Sequence, residues 1–228
     1  MILGELNDLT TLLSCATQRH YAKSQKKTNR FKLFIPSFDK GGALPAFIGA
    51  DPTEPRSRSP YKSDMSLLVT RFLTSRERAK LLLGLNQYRK KLFNGGFIGG
   101  IQWIDGSFVE DVETIRSRAP KDIDVLTLFH RPLKYQTNAS LWQHDYKNFL
   151  HQEFFDTNVL KPIYFCDCYG LDLDTEPYRI VGNSSYWFGL FSEQRDTFRK
   201  KGIVEIPLAN DPMEFSRIET QIRTKFDV

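Results

Sequence analysis

Two neighbouring stretches of sequence decide the fold: QWIDGSFVE at residues 102–110 and PKDIDVLTLF at residues 120–129. Each holds a run of apolar and β-branched residues of the length that is typical of a strand. We predict a strand over 100–105, a turn at Gly106 and Ser107, and a second strand over 122–129. The sequence between the two strands is polar, so we expect it to form the connection that joins them.

The second of these strands carries two carboxylates that are separated by one residue. Because successive strand residues point to opposite faces, Asp122 and Asp124 share one face while Ile123 and Val125 face the core. Two like charges on one strand face repel each other unless something positive lies between them. A divalent cation that carries nucleotide phosphates meets that need.

The rest of the chain mixes helical and strand patterns. The clearest helix begins near Ser75, which can cap it, and ends at Asn94, where Gly95 suits the end of a helix. We also predict helices over 3–23, 141–155 and 187–199, and strands over 31–35, 162–169 and 203–208. Such a mixture indicates an α/β or α+β fold with a central sheet.

Composition limits the domain organisation. The chain has 228 residues, 40% hydrophobic and 26% charged, which suits one globular domain with an appendage. Three prolines mark residues 50–63 as a loop, so we divide the chain into an N-terminal extension with a proline- and arginine-rich loop at 1–63 and a domain at 64–228. No apolar run has the length of a membrane span, so we expect no membrane partner.

The three cysteines argue against a disulfide framework. Cys166 and Cys168 form a Cys-x-Cys pair, and only Cys15 is left as a further candidate, which is too few for a structural zinc site. We therefore expect buried thiols in a strand and a cytoplasmic protein. The oligomeric state stays open.

The net charge is +5, and the basic residues are clustered. One cluster lies at 19–32, a second at 56–62 and a third at 195–201, where Arg195, Arg199, Lys200 and Lys201 stand close in sequence. Such clusters can contact the phosphates of a nucleotide or of RNA. They are equally compatible with a solvated surface, and both interpretations stay open here.

The turn at Gly106 and Ser107, followed by Asp122 and Asp124, resembles the signature of the polymerase beta-like nucleotidyltransferase superfamily. More narrowly, the chain resembles a small uncharacterised bacterial group of nucleotidyltransferase-like proteins over roughly residues 38–208. The stretches RFLTSRER, YWFGLF and KKGIVEI at 71–78, 186–191 and 200–206 carry the narrower resemblance. One departure is the connection of fourteen residues at 108–121, which is slightly longer than in the compact signature and carries acids at Glu110, Asp111 and Glu113.

This resemblance implies a mixed central sheet flanked by helices, and a role for each residue of the signature. Asp122 and Asp124 are expected to hold Mg²⁺ or Mn²⁺. Gly106, Ser107 and Lys121 are expected to bind a nucleoside triphosphate, with ATP as the expected nucleotide. A glycine suits that turn because a side chain would block the approach of phosphate to the backbone.

A third acidic residue, on a neighbouring strand, completes the signature of this superfamily. Asp167 is the first candidate for a catalytic and metal-binding carboxylate, because it is a lone acid in an apolar strand; Asp172 and Asp174 are the alternatives. We expect Asp167 on the face that carries the other two aspartates, with Cys166 and Cys168 on the opposite face. Asp105 is expected to belong to the turn or to support the site from behind.

Three functions stay open at this point. The first is an enzyme that transfers a nucleoside monophosphate to a partner protein, and the second is an enzyme that transfers it to RNA such as tRNA. The third is a catalytically silent sensor that binds a nucleotide or a partner in the same cleft. The resemblance implies a role in a toxin–antitoxin or phage-defence system for such a protein.

Overall fold

The computed structural model describes residues 33–51 and 53–228. Within this part of the chain, Phe34–Val228 forms one compact unit. Residues 34–63, which the sequence assigns to the extension, therefore pack with the domain that follows them. The end of that segment also forms a short strand at Tyr61–Lys62, where only a loop is expected.

The N-terminal predictions fall largely outside the described residues. The helix predicted over 3–23 lies wholly outside them, as do residues 31 and 32 of the strand predicted over 31–35. Residues 33–35 form no strand, so that part of the prediction is wrong. Their apolar alternation instead seats Phe34, whose backbone N–H donates one hydrogen bond to Lys62 O at 3.3 Å, beside the edge of the sheet.

The secondary structure alternates between strands and helices. In chain order the elements are a 3₁₀ turn (Pro55–Ser57), β1 (Tyr61–Lys62), α1 (Met65–Phe72), α2 (Arg76–Asn94), β2 (Gly100–Asp105), a 3₁₀ turn (Gly106–Val109), α3 (Val112–Arg116), β3 (Ile123–Phe129), α4 (Leu133–Gln136), α5 (Ala139–Asp145), a π-helical turn (Tyr146–Leu150), α6 (His151–Phe155), α7 (Thr157–Tyr164), β4 (Cys166–Asp172), α8 (Pro177–Phe191), β5 (Val204–Pro207) and α9 (Met213–Lys225). No helix of the described residues is both long enough and apolar enough to cross a bilayer.

The five strands form one mixed sheet in the order β1-β5-β2-β3-β4. The outer pairs β1–β5 and β3–β4 are parallel, and β2 runs antiparallel to both of its neighbours. This confirms an α+β fold with a mixed central sheet flanked by helices. The predicted strands over 100–105, 122–129 and 203–208 are present as β2, β3 and β5.

Helix α2 supports one face of the sheet. Ser75 caps it by accepting a hydrogen bond from Arg78 N at 3.2 Å, and the helix ends at Asn94, as predicted. The apolar stripe of the helix is buried, which explains why the pattern was readable from the sequence. Its members are Leu81, Leu82, Leu85, Tyr88 and Leu92.

The two faces of the sheet are covered unequally. The larger core packs on the face of Ile123, Val125, Cys166 and Cys168 and includes the stripe of α2. The opposite face carries a small apolar cluster that involves α8, formed by Trp103, Leu126, Leu128, Leu171, Phe191 and Ile203. Part of this second face is consequently left to line a cavity.

The strand predicted over 162–169 is wrong in its first half. Residues 157–164 form helix α7, which contains Pro162, and the strand begins at Cys166. Asp156 caps the helix by accepting a hydrogen bond from Asn158 N at 2.9 Å, and Phe165 closes it in the left-handed conformation with φ of 56°. The β-branched and aromatic residues of this stretch suit either structure, and the cap decides between them.

The helix predicted over 187–199 is displaced. Helix α8 occupies Pro177–Phe191, because a proline at the first position of a helix is favourable and starts it earlier. The residues that follow fold back as a loop, in which Glu193 and Lys200 form an isolated bridge. The helix predicted over 141–155 is present as α5, the π-helical turn and α6.

Candidate active site

Three aspartates line up on three neighbouring strands, near one end of each. Asp105 on β2 is the register partner of Asp124 on β3, and Asp124 is in turn the partner of Asp167 on β4. Partners in adjacent strands point to the same face, so the three carboxylates converge. Asp122 lies just before β3 and joins them through Lys161, whose Nζ is 2.6 Å from Asp122 Oδ2.

The predicted split of side chains between the two faces is confirmed. Ile123, Cys166 and Cys168 are completely buried in the larger core. Asp124 and Asp167 face the other side and line a cavity of about 460 Å³, together with Ser107 of the Gly-Ser turn. Strand alternation therefore places the aspartates and the thiols as the sequence indicates.

Asp172 and Asp174, the alternatives to Asp167, lie elsewhere. Asp172 is the register partner of Phe129 at the far end of β3, and its carboxylate accepts a hydrogen bond from Arg131 Nε at 2.8 Å. Asp174 accepts hydrogen bonds from Arg131 N and is 2.7 Å from His130 Nδ1. Neither carboxylate can reach the cluster, so Asp167 is the third member by position.

Gly106 is required where it stands. Its φ is +83°, which side chains rarely adopt, and a Cβ built there would lie 2.4 Å from Asp124 Oδ2. The steric reason differs from the expected approach of phosphate, since it is the Asp124 carboxylate that occupies the space. The turn thereby holds the half-buried Ser107 at the edge of the cavity, beside the carboxylates.

Lys161 is the principal cation that contacts the carboxylate cluster, and the sequence did not indicate it. Its Nζ lies 2.6 Å from Asp122 Oδ2 and 2.8 Å from Asp167 Oδ2. Partial burial disfavours its charge, but the two hydrogen bonds and the attraction of both carboxylates outweigh that cost and raise the pKa of Lys161 above its ordinary value. Helix α7, which was not predicted, carries this lysine to the site.

Asp124 and Asp105 are carboxylates with raised pKa values. Burial, followed by repulsion from Asp167 and Asp122, raises the pKa of Asp124 to about 6. Burial also raises the pKa of Asp105 to about 7, against the attraction of the nearby Lys201. Asp105 Oδ1 and Asp167 Oδ1 are both buried and have no hydrogen-bond partner. The cluster thus holds more negative charge than its neighbours neutralise.

Lys201 holds the back of the site. It is 4% exposed, and its Nζ lies 2.9 Å from Asp105 Oδ2, 3.2 Å from Gly106 O and 3.5 Å from Glu110 Oε1. In the sequence this lysine belongs to a basic cluster that could bind nucleotide or face solvent. In the structure it is buried and holds Asp105, Glu110 and the Gly106 turn together. No sequence pattern marks it, because its partners lie about a hundred residues earlier in the chain.

The connection between the two strands is fastened by a buried arginine. Arg78 on α2 donates to Phe108 O and Glu110 O at 2.7 and 2.6 Å, and it pairs with Glu113 at 2.6 Å. Glu110 lines the cavity, where it is held by Lys201, but Glu113 points to the arginine instead. The acidic connection therefore contributes one carboxylate to the cavity wall.

The rim of the cavity is basic, and its inner wall is partly aromatic. Arg118, Lys121 and Arg195 are exposed at the mouth, and Lys121 is the residue predicted to contact the nucleotide. Tyr169 and Trp187 line the wall with ring centroids 4.5 Å apart. A polyanion with a flat apolar group could contact both surfaces, since cations meet phosphates and rings stack on rings.

The donor set suits a hard divalent cation. Asp122, Asp124 and Asp167 offer only carboxylate oxygens, which are the preferred ligands of Mg²⁺, and the orphaned Asp167 Oδ1 faces no competing donor. Among residues 33–51 and 53–228, no group of three acidic, His or Cys side chains already stands as a metal site, and Lys161 Nζ contacts two of these carboxylates. These three carboxylates are the residues that would hold such a cation if Lys161 were displaced.

The fold and the site can now be set beside known proteins. Residues 36–207 match the Family of unknown function (DUF6932), which is most of the chain, and the protein belongs to this family. No curated protein and no solved structure matches the chain. Because the function of this family is unknown, the chemistry is inferred from the cavity.

Proposed function

We propose that this protein is a metal-dependent nucleotidyltransferase of the polymerase beta-like superfamily, which transfers a nucleoside monophosphate from a nucleoside triphosphate to an acceptor hydroxyl. The observation that carries the proposal is the convergence of Asp122, Asp124 and Asp167 on one sheet face, beside the Gly106-Ser107 turn. ATP is the expected nucleotide, and a protein or an RNA is the expected acceptor.

The cavity offers separate places for the parts of a metal–nucleotide complex. Asp122, Asp124 and Asp167 would hold Mg²⁺ or Mn²⁺, which when bound neutralises phosphate charge and lowers the pKa of an attacking hydroxyl. The Ser107 hydroxyl and the backbone amides of its turn, which line the cavity, would bind phosphate oxygens. Lys121 and Arg195 at the mouth supply further positive charge for the triphosphate.

The reaction would be an in-line displacement at the α-phosphorus. The acceptor oxygen forms a bond to that phosphorus, the bond to the oxygen that bridges the α- and β-phosphates breaks, and pyrophosphate leaves with the bonding electron pair. The acceptor proton is taken up by a carboxylate, and Asp167 is suited to this because one of its oxygens has no hydrogen-bond partner. The turn at Gly106 and Ser107 would hold the phosphates beside the carboxylates.

The competing interpretation is a silent nucleotide-binding protein on the same fold. One observation favours it: Lys161 occupies the place between Asp122 and Asp167 that a metal would take. Its side chain is 42% exposed, however, so the lysine can turn out into solvent and leave the carboxylates to another cation. We therefore place the enzyme first.

Incubation with α-³²P-labelled nucleoside triphosphates and Mg²⁺ tests the proposal. Total tRNA and cell protein serve as acceptors, and the position of the label on a gel separates the two classes. Asp124→Asn should abolish labelling, whereas Asp172→Asn, the same change at the far end of the β3–β4 pair, should leave it intact. Nucleotide binding without any transfer by the unaltered protein would favour the silent sensor instead.

A further inference from the structure

The contact between Lys161 and two of the aspartates is a bridge across the mouth of the proposed metal site. Asp122 precedes β3 and Asp167 lies on β4, and a single ammonium group is within 2.8 Å of an oxygen of each. An ammonium ion with two carboxylate partners is in the position that a divalent cation takes when it bridges carboxylates. Both cannot occupy that position at once.

One lysine charge leaves the cluster incompletely neutralised. Asp124 is the register partner of Asp167, yet no hydrogen bond or ion pair from the described residues reaches its carboxylate, and Asp167 Oδ1 is buried without a partner. A dipositive ion brings twice the charge and accepts several oxygen ligands, so it satisfies these groups better than an ammonium does. The lysine is therefore a replaceable occupant.

A comparison of the two lysines in the cavity shows which one can leave. Lys201 is 4% exposed and is held by Asp105, Glu110 and a backbone carbonyl, whereas the side chain of Lys161 is 42% exposed. A partly exposed lysine side chain swings away at little cost, because partly exposed ion pairs contribute little to stability.

The helix that carries Lys161 cannot move with it. A Cβ on Gly84 of α2 would lie 2.1 Å from Tyr164 O at the end of α7, so the two helices are in backbone contact there. Leu160, next to the lysine, is 1% exposed in the main core. Any change of occupant at the carboxylates must therefore be a rotation of the Lys161 side chain alone.

We propose that Lys161 and a divalent metal ion are alternative occupants of the Asp122–Asp167 site, so that Lys161 sets the metal concentration at which the site loads. This inference rests on the metal site of the proposed function. In the metal-free protein Lys161 holds the acidic strands together. In the loaded protein its ammonium group turns to the rim, where Lys121 already faces the expected phosphates.

Titration calorimetry with Mn²⁺ alone, without nucleotide, tests the competition in the full chain. Lys161→Met keeps the length of the side chain and removes its charge, and we expect about tenfold tighter Mn²⁺ binding because no ammonium has to be displaced. Lys161→Arg keeps a bridging cation that can engage both carboxylates, and we expect binding no tighter than in the unaltered protein.

Lys91→Met is the matched control. Lys91 pairs with Glu153 at 3.0 Å on the surface of α2, so this change removes one lysine charge and one ion pair away from the cavity. Its Mn²⁺ affinity should equal that of the unaltered protein. An equal gain in the Lys91 and Lys161 variants would mean that general charge, and not competition, is responsible, which would overturn the inference.

Thermal unfolding adds a readout that does not depend on calorimetry. Without metal, Lys161→Met should unfold at a lower temperature because its aspartates repel one another, and Mg²⁺ should raise that temperature more than in the unaltered protein. Equal Mn²⁺ affinity in the Lys161→Met and unaltered proteins would refute the competition but leave the proposed enzyme standing. Absence of Mn²⁺ binding in every variant would refute both.

Discussion

Two networks of charged side chains lie on this sheet, and they differ in whether their positive and negative charges are balanced. In the first, Arg89 of α2 donates to Gln102 of β2 at 2.6 Å and pairs with Glu214 of α9 at 2.7 Å. One cation meets one anion, far from the cavity. The second network is the cavity floor, where carboxylates outnumber the cations that contact them. Its members are Asp105, Glu110, Asp122, Asp124, Asp167, Arg116, Lys161 and Lys201.

The difference separates stabilisation from function. A matched buried pair costs desolvation but keeps the elements in place, and removing one partner leaves an uncompensated charge. Burial raises the pKa values of Asp105 and Asp124, and repulsion from neighbouring carboxylates adds to the increase, so the excess carboxylates do not hold the fold together as ion pairs. An excess of carboxylates is expected where a protein binds a cation such as a metal ion. The comparison predicts that mutations in the two networks have different consequences.

The largest effect is expected at the centre of the unbalanced network. Asp122→Ala or Asp124→Ala should abolish nucleotide transfer, with a loss on the order of a thousandfold or more, because each removes a metal ligand. Both variants should fold. Without metal, Asp124→Ala should be at least as stable as the unaltered protein because one repelling charge is gone, whereas Asp122→Ala also loses its ion pair with Lys161 and should gain no stability. Transfer assays and denaturant unfolding measure both, and full activity in either variant would contradict the proposed role.

The balanced network should respond in the opposite way. Arg89→Met should lower the free energy of unfolding by about 3 kcal/mol, because it leaves Glu214 and Gln102 without their cation. Mn²⁺ affinity should not change. Arg217→Met, which breaks the exposed pair between Arg217 of α9 and Asp211 just before that helix, is the control and should cost less than about 1 kcal/mol. A large change in metal affinity in Arg89→Met would erase the distinction between the networks.

Asp167 tests whether the third carboxylate acts in chemistry or in binding. Asp167→Asn keeps the shape and the hydrogen bond from Lys161 but removes the charge, so catalysis should fall about a hundredfold while nucleotide affinity changes little. Single-turnover kinetics and equilibrium binding separate the two quantities. Parallel losses in both would assign Asp167 to nucleotide binding instead.

Ser107 should matter less than any aspartate. Ser107→Ala removes one hydroxyl from the expected phosphate contacts while the backbone amides of the turn remain, so the cost should be about 1 kcal/mol, or roughly fivefold in kcat/KM. Steady-state kinetics with the nucleotide as the varied substrate measure it. A loss as large as that of Asp124→Ala would indicate that the hydroxyl has a role beyond one neutral hydrogen bond.

The smallest effect is a pH dependence of metal-free stability. The folded protein holds the proton of Asp105 up to a pKa of about 7, against an ordinary value of 3.8, so the protonated group stabilises the fold. That contribution is complete below 3.8 and is lost as the pH rises through about 7. Asp124, with a pKa of about 6, acts in the same sense.

Thermal unfolding in a chelator should therefore show a melting temperature that declines between pH 4.5 and 7.5. Asp105→Asn should flatten this slope, and saturating Mg²⁺ should remove the part due to Asp124, because a bound cation lowers the pKa of its ligands. If neither Asp105→Asn nor saturating Mg²⁺ changed the slope of melting temperature against pH, neither aspartate would be responsible for it.

Much of the site could be predicted from local pattern. Strand alternation places Asp122 and Asp124 on one face, and the same rule places Asp167 opposite Cys166 and Cys168 even though the predicted bounds of its strand were wrong. Because strand side chains alternate between the two faces, the predicted face of a residue stays correct even when the predicted ends of its strand are wrong. A glycine was expected at position 106 so that phosphate could approach the backbone, but in the structure the Asp124 carboxylate fills the space that a side chain would need.

The cations of the site could not be predicted in the same way. Lys161 reaches the carboxylates from helix α7, which spans residues 157–164, whereas the sequence predicted no element over 157–161 and a strand from 162. Lys201 was one of four neighbouring basic residues, and nothing in the sequence separates it from Arg199 or Lys200. Its burial follows from the loop after α8, which was itself predicted as helix.

The sequence by itself determined the features that depend on residues close in the chain: the stripe and cap of α2, the strands on either side of the Gly-Ser turn, and the faces of their aspartates. The tertiary structure decided how Asp105, Asp124 and Asp167 align across three strands. It also decided that Lys161 and Lys201 are the lysines that pair with carboxylates of this cluster. The physical reason is range. Periodicity and capping act over a few residues, whereas register and Coulomb attraction act through space between segments that only the fold brings together.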